Sequence, residues 1–199
     1  MIKYGLISKV DIEAIEKVLD LILSGFPEGY ISVTEVGCYG GDTGYGISQY
    51  LFSKGRLPVI IGIDNLKDNE AIRFKYNKVI NGNSSEVYNQ IEDESQHLIF
   101  IDGCHCFAHV ISDFFCYSSK VKSGGYLIFH DTGKHIKPFK DFQHGDKENP
   151  DAYISVRKAL QKIGLLNNRI SGWRLMYDKA DEDNEAGGVC AFKKFKLWD

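Results

Sequence analysis

Three apolar runs of this 199-residue chain, 59–63, 98–101 and 126–129, end at Asp64, at Asp102 and at His130-Asp131. A carboxylate accepts hydrogen bonds from hydroxyls, takes part in proton transfer, or holds a hard cation. One aspartate after an apolar run is commonly only a turn or cap residue. Three of them beside a glycine loop point to a site. That loop is Glu35-Val36-Gly37-Cys38-Tyr39-Gly40-Gly41-Asp42-Thr43. Its glycines let the backbone turn sharply and approach a ligand, and the helix that follows offers free N–H groups. A dinucleotide-binding G-x-G-x-x-G would need glycine where Tyr39 stands, and no Gly-Lys-Ser/Thr follows as in a phosphate-binding Walker loop.

The elements that must position these residues alternate in type. Ser8 and Asp11 form a capping pair for a helix with Ile12, Ile15, Val18, Leu19, Ile22 and Leu23 at helical spacing, stopped by Gly25 and Pro27. Strands are expected at 31–36, 59–63, around Val79 and Ile80, at 98–101 and at 126–129. Helices are expected at 43–53 (Ile47, Tyr50 and Leu51 inward), 67–76, 84–92, 107–119 and 152–163, with a turn at 123–125. Residues 133–150 are polar, contain Pro138 and Pro150, show no period and read as a long surface loop. Two last strands, 173–177 and 189–195, joined by the acidic 178–188, read as a hairpin closing the sheet. Strands apolar throughout, separated by helices, mean a parallel sheet covered on both faces. Asp64, Asp102 and Asp131 then share its carboxyl rim, where ligands of open α/β sheets bind. No repeat or linker divides the chain, so residues 1–199 are read as one domain with a helical segment at 1–29.

Composition narrows the classes. At 43% hydrophobic and 26% charged residues the chain is globular in type, and its apolar runs fall far short of the roughly 20 residues that cross a bilayer. No signal-peptide core follows Met1, and a net charge of −3 disfavours a nucleic-acid partner bound through a basic surface. The five cysteines are odd in number and lack a C-x-x-C pair, so a reducing compartment, the cytoplasm, is expected rather than a disulfide framework. The cluster Cys104-His105-Cys106, with His97 and His109 nearby, raises zinc, but structural zinc sites favour wider ligand spacing and a second cysteine pair, and none exists here.

Glu35-x-Gly37-x-x-x-Gly41-x-Thr43, followed by Asp64, resembles motif I and the acidic second-strand motif of class I S-adenosylmethionine-dependent methyltransferases. Ile101-Asp102-Gly103-Cys104-His105-Cys106-Phe107, then Gly124-Gly125 and His130-Asp131-Thr132, resembles the macrocin/mycinamicin-type sugar O-methyltransferase branch. The resemblance spans roughly residues 30–195 and implies a Rossmann-like, doubly wound, mostly parallel seven-stranded sheet with a C-terminal antiparallel hairpin. It implies S-adenosylmethionine as cofactor, with Glu35, Gly37, Tyr39, Gly41 and Thr43 about its methionine and ribose. Asp64 would hold the ribose hydroxyls, Asn83 and Ser84 the adenine, and Asp102 would border the cofactor. Asp102 and Asp131, with His130 in a position often acidic in metal-dependent relatives, would hold a divalent metal, magnesium by the family pattern. His105 falls where that branch is thought to carry its general base; the alternative is a histidine satisfied by backbone at a helix start. His109 lies one helical turn on, and His97, His135 and His144 read as structural or surface residues.

The acceptor implied is a sugar or glycan, with no nucleic acid and no membrane. Residues 133–150 would overlie the acceptor, Lys134, Lys137, Lys140 and Lys147 forming a solvated face more readily than an anion site, with Tyr4 and the first helix opposite. Rival readings are a catechol-type methyltransferase for small phenols (Asp-Asn there, Asp131-Thr132 here), a relative of the cephalosporin hydroxylases, and a non-catalytic cofactor-binding module. A homo-oligomer, or a unit of a longer chain, stays open.

Overall fold

The computed structural model describes residues 7–65, 72, 74–134, 137–138, 153–180 and 187–196. Helix α1 (Lys9–Gly25) starts where the capping pair directs it. The Asp11 N–H donates to Ser8 Oγ (3.2 Å) and the Ser8 N–H donates back to Asp11 Oδ2 (3.1 Å), which satisfies two N–H groups the first turn leaves unpaired. Its stripe of Ile15, Val18, Leu19 and Ile22 is fully buried.

Strand β1 (Ile31–Val36) leads through the glycine loop to α2 (Asp42–Ser53), then β2 (Pro58–Asp64) and β3 (Lys78–Asn81). The short α3 (Ser84–Val87) precedes β4 (Gln96–Ile101), α4 (Phe107–Tyr117) and β5 (Val121–His130). After a two-stranded ribbon, β6 (Lys137–Pro138) with β7 (Tyr153–Ile154), come α5 (Val156–Ile163), β8 (Trp173–Ala180) and β9 (Gly188–Lys194).

The seven-stranded sheet has the order β3-β2-β1-β4-β5-β9-β8, in which β9 runs antiparallel to both neighbours and the other pairs are parallel. This is the expected Rossmann-like sheet with its antiparallel C-terminal hairpin. Each central strand feeds two cores. Leu98 and Phe100 pack with α1 and α2 on one face, while Ile99 and Ile101 pack with α4 and α5 on the other. Burial on both faces is why these strands read as unbroken apolar runs. The chain runs outward from β1 to β3, then crosses back to lay β4 beside β1, so the order reverses there and a crevice opens at the carboxyl ends of these two strands. No helix among the described residues is long and apolar enough to cross a membrane.

Several expected boundaries move. Ser123-Gly124-Gly125 is not a turn but part of β5; its pairing with β4 shifts between Gln96 and Leu98, and Gly124 takes φ +85°. A Cβ on Gly125 would lie 2.9 Å from the His97 carbonyl oxygen, so the glycines permit a bulge within a continuous strand. The helix expected at 84–92 ends at Val87 and tightens into a 3-10 turn over Tyr88–Gln90, and that at 107–119 ends at Tyr117 before another over Ser118–Lys120. The helix expected from 152 begins at Val156, because Ile154 is already paired in β7 with Lys137. The 133–150 loop therefore contains a strand, β6. The rest of that loop from 139 on, most of the 67–76 helix and Tyr4 lie outside the described residues.

Candidate functional site

The carboxyl ends of β1, β2 and β4 are fastened to one another. The Gly37 N–H donates to the Ile63 carbonyl and the Asp102 N–H to the Val36 carbonyl, both at 2.8 Å. Gly37 has φ +84°, and a Cβ there would meet the Asp102 oxygen at 2.3 Å and Gly103 Cα at 2.5 Å. Only glycine lets the two strand exits lie this close. The Tyr39 N–H donates to Asp64 Oδ2 (2.7 Å), which fixes the carboxylate at the rim while the Tyr39 ring stands 67% exposed.

Two cavities flank this edge, and Gly37 lines both. The smaller, about 350 Å³, includes Asp64, Asn83 and Ser84 among its walls. The larger, about 730 Å³, is walled by Glu35, Tyr39, Gly41, Thr43, Asp102, His105, His130 and Asp131, with Ser8 and Asp11 of the α1 start. The residues singled out from the sequence are thus brought to one sheet edge but divided between two chambers.

A chain of acids and imidazoles crosses the larger cavity. His130 Nδ1 lies 2.9 Å from Asp102 Oδ1 and its Nε2 3.2 Å from Asp11 Oδ2; His105 Nε2 lies 3.1 Å from Asp102 Oδ1 and 3.4 Å from Asp131 Oδ2. Burial by itself would raise the acids and lower the histidines. For Asp102 the two histidines overcome burial and hold the carboxyl well below its usual range; for Asp11, His130 and the Ser8 hydrogen bonds outweigh burial and lower it. Their carboxylates in turn lift His105 and His130 above the ordinary histidine value. At Asp131 burial prevails over the histidines and the carboxyl is raised.

His130 spends both ring nitrogens on carboxylates. The donor atoms that converge within 4.8 Å are those of Asp102, His105 and Asp131. Below them Glu35 is 2% exposed and accepts the Tyr76 hydroxyl; burial pushes its carboxyl up to about 8, against the pull of that bond. A Cβ on Gly44 would fall 2.5 Å from Glu35 Oε2, so α2 packs directly over the acid.

Some participants were not singled out as functional from the sequence. Asp11 reads as a helix cap, yet it is 1% exposed and also meets His130; a cap residue on the apolar stripe of its own helix is the signal that could have exposed this. Asp113, buried on α4, accepts the Ser84 hydroxyl at 2.6 Å, and burial pushes its carboxyl up to about 6. Arg157 Nε donates to the Thr132 carbonyl (2.7 Å) while its guanidinium pairs with Asp178, bracing the chain that leaves β5. On the far side of the loop that carries His105, Cys104, Cys106 and His109 gather around one point.

With this geometry in hand, comparison with known proteins identifies the fold. Residues 34–132, just under half of the chain, match the family model of a methyltransferase domain. Among curated proteins none matches. Among solved structures, the O-methyltransferase TomG from Streptomyces achromogenes, involved in tomaymycin synthesis and solved with SAM, superposes with TM-score 0.60 at 10% identity, covering 90% of this chain and 80% of its own. The MycE methyltransferase of the mycinamycin biosynthetic pathway, solved with Mg, SAH and mycinamycin VI, gives TM-score 0.57 at 17% identity; 89% of this chain covers only 48% of MycE. A structure described as a putative rRNA-methylase from Clostridium thermocellum gives TM-score 0.61 at 10% identity, covering 97% and 100%. The fold is the Rossmann-like methyltransferase fold, and the segment from β1 to the end of β5 carries the methyltransferase-domain match.

Proposed function

We propose that the chain is an S-adenosylmethionine-dependent O-methyltransferase that modifies a sugar hydroxyl, with His105 as its general base. The observation that carries this reading is Gly37, which forms a wall of two cavities at the reversal point of the sheet. A nucleoside beside Asp64, Asn83 and Ser84 can extend its tail past Gly37 toward His105. The lack of a side chain at 37 and the Asp64 carboxylate fixed by the Tyr39 N–H suit the cofactor, the carboxylate being a natural acceptor for a ribose diol. Both volumes fall in the range of small-molecule sites, about 300–1,000 Å³.

When bound, S-adenosylmethionine supplies a methyl group on a sulfonium that an oxygen can displace in line. The protein's work is to align acceptor and donor, an effect worth about 7–11 kcal/mol when complete, and to remove the hydroxyl proton. His105 suits the second task, because Asp102 and Asp131 stabilise the imidazolium formed when it accepts that proton. The same two carboxylates raise its resting basicity, so the rate should climb with pH through a value above the usual histidine pKa. Asp102 and Asp131 also suit a hard divalent cation such as Mg2+ or Mn2+, which would increase the acidity of the acceptor hydroxyl while His105 keeps the role of base.

The sugar acceptor rests on the resemblance of the 101–107 and 124–132 motifs. The acids around the larger cavity, Asp11, Asp42, Asp102 and Asp131, with a net charge of −3, disfavour an RNA acceptor. All five cysteines are thiols, which suits a reducing, cytoplasmic setting.

Calorimetry with S-adenosylmethionine and S-adenosylhomocysteine, followed by labelled-methyl transfer to sugars and to phenols, tests the proposal. His105→Ala should cut turnover by about 10²–10⁴-fold while donor affinity stays within a few-fold. No donor binding would remove the reading. Methylation of phenols alone would transfer it to the catechol type, and full activity of the variant would remove His105 as base.

A further inference from the structure

The loop between β4 and α4 has chemistry on both of its sides. His105 faces Asp102 and Asp131, while the residues flanking it, Cys104 and Cys106, face the other way toward His109 in the first turn of α4. Alternate residues of an extended loop point to opposite sides. This separates the acids from the thiols although they are neighbours in sequence. The two Sγ atoms lie 2.7 Å apart, and His109 Nδ1 lies 2.9 Å from Cys106 Sγ and 3.2 Å from Cys104 Sγ.

We propose that Cys104, Cys106 and His109 form a zinc-binding site in the wall of the smaller cavity. Thiols are weak hydrogen-bond donors and acceptors, so hydrogen bonding alone gives little reason to crowd two of them and an imidazole around one point. Two thiolates and an imidazole are a soft, compact donor set of the kind zinc takes, and one that magnesium does not. The sequence objection, that no second cysteine pair exists, applies to closed four-ligand sites. Three protein ligands leave a fourth position open, and because Cys104 and His109 both line the smaller cavity, that position faces it. The fourth ligand is then a water or a polar group of whatever the cavity holds.

The ion would tie the loop to α4 and so hold Gly103 against Gly37, where the backbones already touch. One turn beyond His109 on the same helix face, Asp113 reaches Ser84 on the opposite wall, so both walls would be referenced to one fixed point. This inference does not depend on what the chain methylates.

The test uses the full chain, purified under reducing conditions without a chelator and without donor or acceptor. Elemental analysis and titration with Zn2+ should give one ion per chain. Replacing it with Co2+ should produce the near-ultraviolet charge-transfer absorption of thiolate ligands, which reads the ligand type in the unaltered protein. Cys104→Ser and His109→Gln should each abolish stoichiometric binding, whereas Asp102→Asn with Asp131→Asn should retain it. No zinc uptake by the reduced protein, a Co2+ spectrum without thiolate bands, binding indifferent to Cys104→Ser, or binding lost only in the aspartate variant would each overturn the proposal.

Discussion

Replacing Gly37 with alanine perturbs the edge at the atom where β1 and β4 come closest. Two costs arise. A non-glycine residue at φ +84° gives up roughly 1–2 kcal/mol of backbone energy. The new methyl would sit 2.3 Å from the Asp102 carbonyl oxygen, a backbone atom that cannot swing aside, and relieving such overpacking costs about 1–3 kcal/mol. Together these make roughly 2–5 kcal/mol, which for a chain of this length lowers the melting temperature by about 4–20 °C. Gly29→Ala supplies the control, since Gly29 has φ +77° but nothing within 4 Å of its added Cβ, so only the backbone part of the cost should appear. Thermal melts of both variants, with calorimetry against S-adenosylhomocysteine, separate strain from overlap. Equal losses in the two variants, or a Gly37→Ala protein that melts within about 2 °C of the parent and binds as well, would refute the close-approach argument.

Three other outcomes follow from buried charge. Glu35 binds its proton more tightly folded (about 8) than at its ordinary value of 4.5, so its contribution to stability is full below pH 4.5 and disappears as pH rises toward 8; Glu35→Gln should flatten that decline in denaturant midpoints. His97 has the opposite sign: burial, with Lys122 and Arg56 nearby, pushes it down to about 4, so its contribution holds above pH 6.5 and is lost as pH falls through 4, and its ring signals should stay unshifted by NMR between pH 7 and 5. Asp11→Ala removes a helix cap and leaves buried His130 without one of its carboxylates, so denaturant melts should show a loss of about 3–5 kcal/mol, against about 1 kcal/mol for an ordinary cap.

The sequence carries the sheet well because periodicity and apolar runs record burial on both faces, and the carboxyl ends of β1, β2, β4 and β5 fall within a residue or so of expectation. It misplaces Gly124-Gly125, since two glycines signal a turn and a bulge equally, and only the β4 partner decides between them. It marks Asp64, Asp102 and Asp131 because each ends a strand. It does not reveal that Gly37 divides the site into two chambers, which depends on β4 returning beside β1. Nor does it pair Asp11 with His130, 119 residues away, because local cap chemistry fully accounts for Asp11 in sequence terms. The Cys104–Cys106–His109 grouping shows only as spacing, and the opposed orientation of His105 is what makes the spacing meaningful.

Strand β9 follows β8 in the chain yet lies inside it, between β8 and β5. While such a protein is being synthesised, β8 emerges before β9, the strand through which it joins the sheet. Until then β5, whose tip bears Asp131, presents an open flank to any passing strand. Strand β8 is therefore paired into the sheet only through its successor, and a stop codon placed just ahead of β9 would cut it off and leave the β5 flank bare.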